Sequence, residues 1–170
     1  MPEMIDIYNE NRALTGERVP RKGTFLKKGQ YMMYVLALIE DKNGKFIITQ
    51  RALDKKWAAG AWEIPGGGAQ AGESSFEAVC REVLEETGLD VSGMKEEPVY
   101  SYFNEDLERG DNYFVDIYHF HMDFAEKDVR YQESEAIGLQ LADMDTIRAL
   151  NEENAFLHYS RILEALDAEK

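Results

Sequence analysis

Cysteine occurs once, at Cys80. A single thiol excludes an internal disulfide framework and fits a reducing compartment, so a cytoplasmic protein is expected. No run of about 18 apolar residues is present, which argues against a membrane-spanning helix. Residues 1–12 have neither a basic start nor an apolar stretch, unlike a secretory leader. Basic residues are scarce: 19 Lys and Arg stand against 33 Asp and Glu, a formal net charge of −14. Such a chain should repel nucleic acid, whose affinity depends on cationic side chains at the phosphates. It should repel a free nucleotide too, unless a cation or a local basic patch intervenes. Solubility accounts for much of the charge. Part of the acid excess is then open to a cation site.

What is present is ordinary for one globular domain. The chain has 170 residues, 44% of them hydrophobic and 31% charged. That length suffices for one core and is short for two, so residues 1–170 are expected to form a single domain. Residues 4–8 alternate apolar and polar, as a half-buried strand does. Residues 18–29 are rich in Pro, Gly and Lys and read as a loop. Residues 31–39 form an apolar run suited to a buried strand. Asn43-Gly44 then signals a hairpin, with residues 45–51 as the returning strand. Trp62-Glu63-Ile64 reads as a short strand broken by Pro65-Gly66-Gly67-Gly68. Residues 99–103 and 113–124 read as further strands. Helices are expected from Ser74 to Gly88, over 143–150, and over 154–168. The last would place Phe156, Tyr159, Ile162, Leu163 and Leu166 on one face. Strands surrounding a few helices imply an α/β or α+β sandwich with a mixed sheet.

The segment from Gly67 to Leu89 carries the chemistry. Ser74 and Glu77 have the spacing of a capping box. Gly88 suits the left-handed position that ends a helix. At about 100° per residue, Glu82, Glu85 and Glu86 fall within roughly 100° of one another. Phe76, Val79, Val83 and Thr87 point to an adjacent face. One side of the helix can therefore pack, while its neighbour carries three carboxylates. A solvated acidic face costs little, about 0.2–0.5 kcal/mol per like-charged pair. It does not account for the glycine run before the helix or for Arg81 among the acids. Oxygen-rich clusters suit hard cations, and magnesium is held by a few carboxylates, waters and substrate phosphates.

This segment resembles the Nudix box, G-x5-E-x7-R-E-U-x-E-E-x-G-U, with U a bulky aliphatic residue. Gly67, Glu73, Arg81, Glu82, Glu85, Glu86 and Gly88 fill the fixed positions, and Val83 and Leu89 the aliphatic ones. At about 7% usage per residue type, seven fixed positions coincide about once in 10⁸ windows. The resemblance implies a Nudix α/β/α sandwich with a mixed central sheet. It also implies metal-dependent hydrolysis of a pyrophosphate bond in a nucleoside-diphosphate-type substrate, with Mg2+, or Mn2+, as cofactor. Glu82, Glu85, Glu86 and the carbonyl of Gly67 would be metal ligands. Glu73 and Arg81 would pair and brace the loop against the helix. Glu82 is the first candidate for the general base. Glu133 and Glu135 are the alternatives from a later loop, with Glu135 preferred.

Arg51, Lys55 and Lys56 could meet phosphate, and Trp57, Tyr102, Phe103 and Tyr113 could stack on a base. Arg51, Trp57 and Tyr102 are retained as substrate-binding candidates. Residues 6–8 and 14–16 resemble a subgroup related to isopentenyl-diphosphate isomerase. That enzyme needs a catalytic Cys in another place, and Cys80 on the inward side of the helix reads as core. His119 and His121 share a strand face and read as structural for want of a third ligand. Marks of ADP-ribose hydrolases and of dinucleoside polyphosphate hydrolases are absent: Asn104, Glu105 and Leu107 stand where a Pro or Tyr would. The expected partner is a small nucleotide-type diphosphate, with no nucleic acid and no membrane. A homodimer would use residues 113–124 or the C-terminal helix. A non-catalytic binding module and an isomerase remain the alternatives.

Overall fold

The computed structural model describes residues 2–170. A mixed sheet runs through the middle of the molecule. Its strands are β3 (Met32–Glu40), β4 (Phe46–Arg51), β5 (Trp62–Glu63), β6 (Gly66–Gly68), β7 (Tyr100–Asn104), β8 (Tyr113–His121) and β9 (Ala136–Ala142). The main path is β5-β4-β3-β8-β7, with β6 added to β3 and β9 to β4. Among these strands β3 and β8 pair in parallel, and the other ladders are antiparallel.

The apolar run of β3 is buried on both faces, and alternation along it divides the core. Val35, Ala37 and Ile39 face helix α1 (Ser75–Thr87), which contributes Ala78, Val79 and Val83. Leu36 and Leu38 face helices α2 (Met144–Glu152) and α3 (Tyr159–Ala168), which contribute Ile147, Ile162 and Ala165. The result is the expected α/β/α sandwich. Among the described residues, no helix is long and apolar enough to cross a membrane.

Several local expectations are corrected. Residues 18–20 are not loop. They end strand β2 (Leu14–Pro20), which pairs with β1 (Met4–Tyr8) through Ile5↔Val19 and Asp6↔Arg18. The partner strand overrides the loop-like composition. The hairpin at Gly44 forms, but β3 and β4 stay paired only at Glu40↔Phe46. Beyond that pair, β6 takes the edge of β3 and β9 takes that of β4. The glycine run is therefore strand rather than free loop. Strand β9 lies where no strand was expected. Helix α3 starts at Tyr159, not at 154, because Asn154 and His158 have φ of 57° and 64°. Phe156 lies before the helix, bridged to Trp62 and buried, and Leu163 is largely exposed.

Candidate active site

Helix α1 holds its acids in a fixed register because both ends are locally defined. Ser74 Oγ accepts the Glu77 N–H, and the Glu77 carboxylate accepts the Ser74 N–H. Gly88, at φ 76°, turns the chain left-handed, and its N–H donates to the Leu84 carbonyl. Packing of Ala78, Val79 and Val83 on the sheet then sets which side of α1 meets β6.

On that side the glycines are close to the acids. A Cβ at Gly67 would lie 2.4 Å from Glu82 Oε1, so the carboxylate occupies the space that a side chain would fill. The N–H of Gly66 donates to Glu86 Oε2 at 2.9 Å. Arg81 braces the two elements. It grips Glu73 with two nitrogens, at 2.7 and 3.0 Å, and donates to the Gly68 carbonyl at 3.0 Å. It also reaches Glu82 at 3.0 Å and Glu85 at 3.3 Å. The guanidinium thus ties the loop to the helix and neutralises part of the acid cluster.

Burial keeps two of these acids reluctant to ionise. The Glu82 side chain is only 12% exposed. Loss of solvent pushes its pKa up to about 7, against the pull of Arg81. Glu86 is raised well above the carboxylate range by burial and then by the charge of Glu82. The Gly66 N–H offsets this in part, and Glu63 and Glu135 add to it. The Glu85 side chain is more exposed, at 44%. Adjacent desolvated carboxylates without a cation of matching charge are costly. The donor set is entirely oxygen and fits a hard divalent ion. Glu82, Glu85 and Glu86 can hold it beside the Gly67 backbone.

The structure adds two residues to the cluster that local pattern did not single out. Glu63, on β5, lies near enough to raise Glu86. Its own pKa is raised by burial and lowered by Arg51, whose Nη1 donates to it at 3.1 Å. Arg21 arrives from just beyond β2. Its guanidinium lies against Gly68, where a Cβ would fall 2.9 Å from Cζ, and it acts on the charge of Glu82. Tyr34 Oη accepts from it at 2.7 Å, and its guanidinium carbon is 5.4 Å from that ring's centroid. Neither residue had a local signal, since each meets the box only through the fold.

The remaining candidates divide. Glu135 lies on the turn before β9, paired with Lys55 and close enough to Glu86 to raise its pKa. Glu133 is exposed on the same turn. Arg51 touches Glu63 and the Trp57 carbonyl, and lies 5.5 Å from the centroid of the Trp57 ring. Trp57 is 59% exposed, and the His158 ring lies 6.4 Å from it. Tyr102 is two strands from Tyr34, in register with it through Val115, and Arg161 caps its ring at 4.0 Å. It packs with the α2 and α3 face and is not gathered with the carboxylates. Cys80 packs against the core on the α1 side, where burial raises its thiol pKa, and it is not placed as a nucleophile.

A family model described as NUDIX domain matches residues 30–165. An uncharacterized Nudix hydrolase of Listeria monocytogenes is 30% identical over 160 residues, covering 92% of this chain and 89% of that one. An 8-oxo-dGTP diphosphatase of Proteus vulgaris is 42% identical over 55 residues, 32% of this chain and 48% of that one. Among solved structures, a Deinococcus radiodurans protein has a TM-score of 0.71 at 21% identity, covering 90% of this chain and 91% of that one. The MutT Nudix hydrolase of Burkholderia pseudomallei has a TM-score of 0.63 at 23% identity, covering 83% and 99%. At these identities the structural likeness bears on the fold alone.

Proposed function

The chain belongs to the Nudix family and is a pyrophosphohydrolase, and from that premise we propose that it hydrolyses nucleoside di- or triphosphates in a magnesium-dependent reaction. One observation carries the proposal: the largely buried Glu82 carboxylate fills the space a Gly67 side chain would take, while Glu86 accepts from the Gly66 N–H beside it. We assign Glu82, Glu85, Glu86 and the Gly67 carbonyl as ligands of the ion. When bound, the ion polarises phosphoryl oxygens and makes water a better nucleophile.

The chain's own residues do the rest. Arg81 and Glu73 hold the ligand carboxylates at a fixed distance from the β6 backbone. Arg21, over Gly68, is assigned to meet a substrate phosphate. Trp57 offers an exposed ring to a nucleobase, with Arg51 behind it. Glu82 is assigned to the ion, which weakens it as a base. Glu135 lies on a turn at the cluster's edge, 52% exposed, and is assigned to accept the proton of the attacking water. The net charge of −14 favours a small nucleotide over a nucleic acid. The lone thiol suits the cytoplasm.

The test is a coupled phosphate-release screen with and without magnesium, in which added pyrophosphatase and phosphatase convert pyrophosphate and phosphomonoester products to free phosphate. It spans nucleoside di- and triphosphates, nucleotide sugars, ADP-ribose and dinucleoside polyphosphates. A Glu85→Gln, Glu86→Gln double variant and Glu135→Gln run beside the wild type. Turnover of free nucleotides that needs magnesium and vanishes in the double variant is expected. Glu135→Gln should lose about 10²–10⁴-fold in kcat with magnesium affinity retained. Turnover of ADP-ribose alone would overturn the substrate assignment.

A further inference from the structure

A second group of metal-binding side chains lies on the face of the sheet opposite α1. His119 and His121 stand two apart on β8 and face the same way. Parallel pairing brings Glu40 of β3 into register with His121. His119 Nε2 is 2.7 Å from Glu40 Oε1, and His121 Nδ1 is 3.9 Å from the same oxygen. One donor atom from each residue lies within 4.8 Å of those of the other two. The two rings stack with centroids 4.2 Å apart, so both imidazoles approach the carboxylate from one side. Leu36 and Leu38 point to this same face, which α2 and α3 cover. The cluster is therefore separate from the carboxylates of the box helix.

We propose that Glu40, His119 and His121 bind one zinc ion, with water in the fourth position, and that this ion pins the C-terminal helix to the sheet. Two imidazoles and one carboxylate are a poor set for magnesium or calcium and a good one for zinc. With bonds of about 2.0–2.1 Å, donors around tetrahedral zinc stand about 3.3 Å apart. The present separations of 2.7 and 3.9 Å bracket that value. Closing the site takes a small rotation of His121, whose side chain is 66% exposed. His119 is only 5% exposed and already fixed.

An independent observation points the same way. Glu169, at the C-terminal end of α3, has Oε2 2.7 Å from His119 Nδ1. A carboxylate on Nδ1 holds the proton there and leaves the Nε2 lone pair for a metal, the arrangement that orients ligating histidines. The Nε2 side then faces Glu40, which needs a cation or a shared proton to approach so closely. On binding, the ion takes that place and any proton on Nε2 leaves to solvent. The chain linking zinc to His119 to Glu169 is what couples the ion to α3.

The test uses the full chain and zinc alone as the probe, in excess magnesium so that the box carboxylates are occupied. Titration calorimetry should show one zinc per chain, and zinc should raise the Tm. Affinity should fall about tenfold or more in His121→Ala and in Glu40→Gln, and also in Glu169→Ala, which removes only the orienting carboxylate. His121→Ala changes an exposed residue and should fold, and it should keep magnesium-dependent turnover. Cobalt in place of zinc should give visible absorption that His121→Ala abolishes. Equal zinc affinity in His121→Ala, Glu40→Gln and wild type, or no zinc bound by the wild type, would overturn the proposal. The second result would leave His119 as a hydrogen-bonded bridge between two carboxylates.

Discussion

Glu82 Oε1 occupies the position a side chain at Gly67 would need: the two are 2.4 Å apart when a Cβ is built there. The obstruction is the tip of a flexible side chain, and Gly67 has no positive φ. Gly67→Ala should therefore fold, with a Tm within a few degrees of wild type, while Glu82 is driven out of place. Loss of about 10²-fold or more in kcat/KM is expected, with weakened magnesium binding, since a displacement of about 1 Å costs that much at a reacting centre. Gly66→Ala is a different case. Its Cβ would fall 2.2 Å from the Val35 carbonyl, which belongs to the backbone of β3 and cannot turn aside. That variant should be lost to unfolding or misfolding, seen as a low and broad thermal transition.

The metal-free protein should lose stability as pH rises through the range where these acids ionise. In the unfolded chain Glu82 titrates near 4.5, and in the fold near about 7. Between those values the folded state binds more protons than the unfolded state, so unfolding becomes easier with increasing pH. The stabilisation is fully present below about 4.5 and gone above about 7. That difference in proton affinity corresponds to on the order of 3 kcal/mol. Glu86 shifts in the same direction and steepens the trend. Magnesium should reverse it, because the ion binds the ionised form, and a concentration of 100 times Kd adds about 2.7 kcal/mol. Urea unfolding from pH 5 to 8, with and without magnesium, reads both effects. Stability of the metal-free protein that rises with pH over this window would contradict the assignment of Glu82 and Glu86 as desolvated acids.

Sequence alone placed α1 and its acids well because everything that defines them is local. The capping box lies within four residues, Gly88 ends the helix by its own backbone preference, and the carboxylate spacing follows from helical periodicity. Where long-range partners decide, the pattern was silent or misleading. Residues 18–20 look like loop until Met4 to Asp6 pair with them. The apolar periodicity after Asn154 ran on past its structural meaning, because Phe156 turns to meet Trp62 before α3 begins. Strand β9 carries Gly138 and exposes Ile137, which blurs its alternation, and it exists because β4 has turned away from β3. Glu63 and Arg21 are 19 and 61 residues from Glu82, and no spacing rule could join them to it.

Arg21 separates electrostatic from structural roles at the site. It is held by Tyr34 Oη at 2.7 Å, and more loosely by Glu3 at 3.4 Å, with its guanidinium beside Gly68. Arg21→Ala should lower kcat/KM about 10–100-fold, equivalent to about 1.4–2.7 kcal/mol of lost stabilisation of the phosphate-bearing transition state. Arg21→Lys should recover part of this, since a point charge remains but the planar fork is gone. Tyr34→Phe keeps the charge and removes only its tether, so a loss of a few-fold is expected. Steady-state kinetics at two ionic strengths would show a weaker salt dependence of kcat/KM for Arg21→Ala than for wild type. Unchanged kcat/KM in Arg21→Ala would remove it from the substrate path.

Asp116 joins the N-terminal hairpin to the rest of the molecule and should be the most costly single acid outside the cluster. It is 1% exposed, lies on β8, and pairs with Arg12, which follows β1. Ser101 Oγ donates to it at 2.6 Å from β7, and Ser75 Oγ donates from the first residue of α1. One buried carboxylate thus collects donors from three separate pieces of the fold. Asp116→Ala strands two hydroxyls and an arginine, and breaking a buried pair costs about 3–5 kcal/mol. Arg12 is 35% exposed and can turn towards solvent, which favours the lower figure. A loss of about 3 kcal/mol lowers Tm by about 6–12 °C for a chain of this size. Because Ser75 opens α1 and the hairpin delivers Arg21, the same change should also raise KM in the fraction that remains folded. Asp116→Asn keeps one acceptor oxygen, for Ser101 or for Ser75 but not for both, and loses the charge facing Arg12, so it should cost less than Asp116→Ala but still destabilise. If urea midpoints of Asp116→Ala and wild type coincide, the hairpin is held by its own apolar cluster of Ile5, Ile7 and Leu26 instead of by this network.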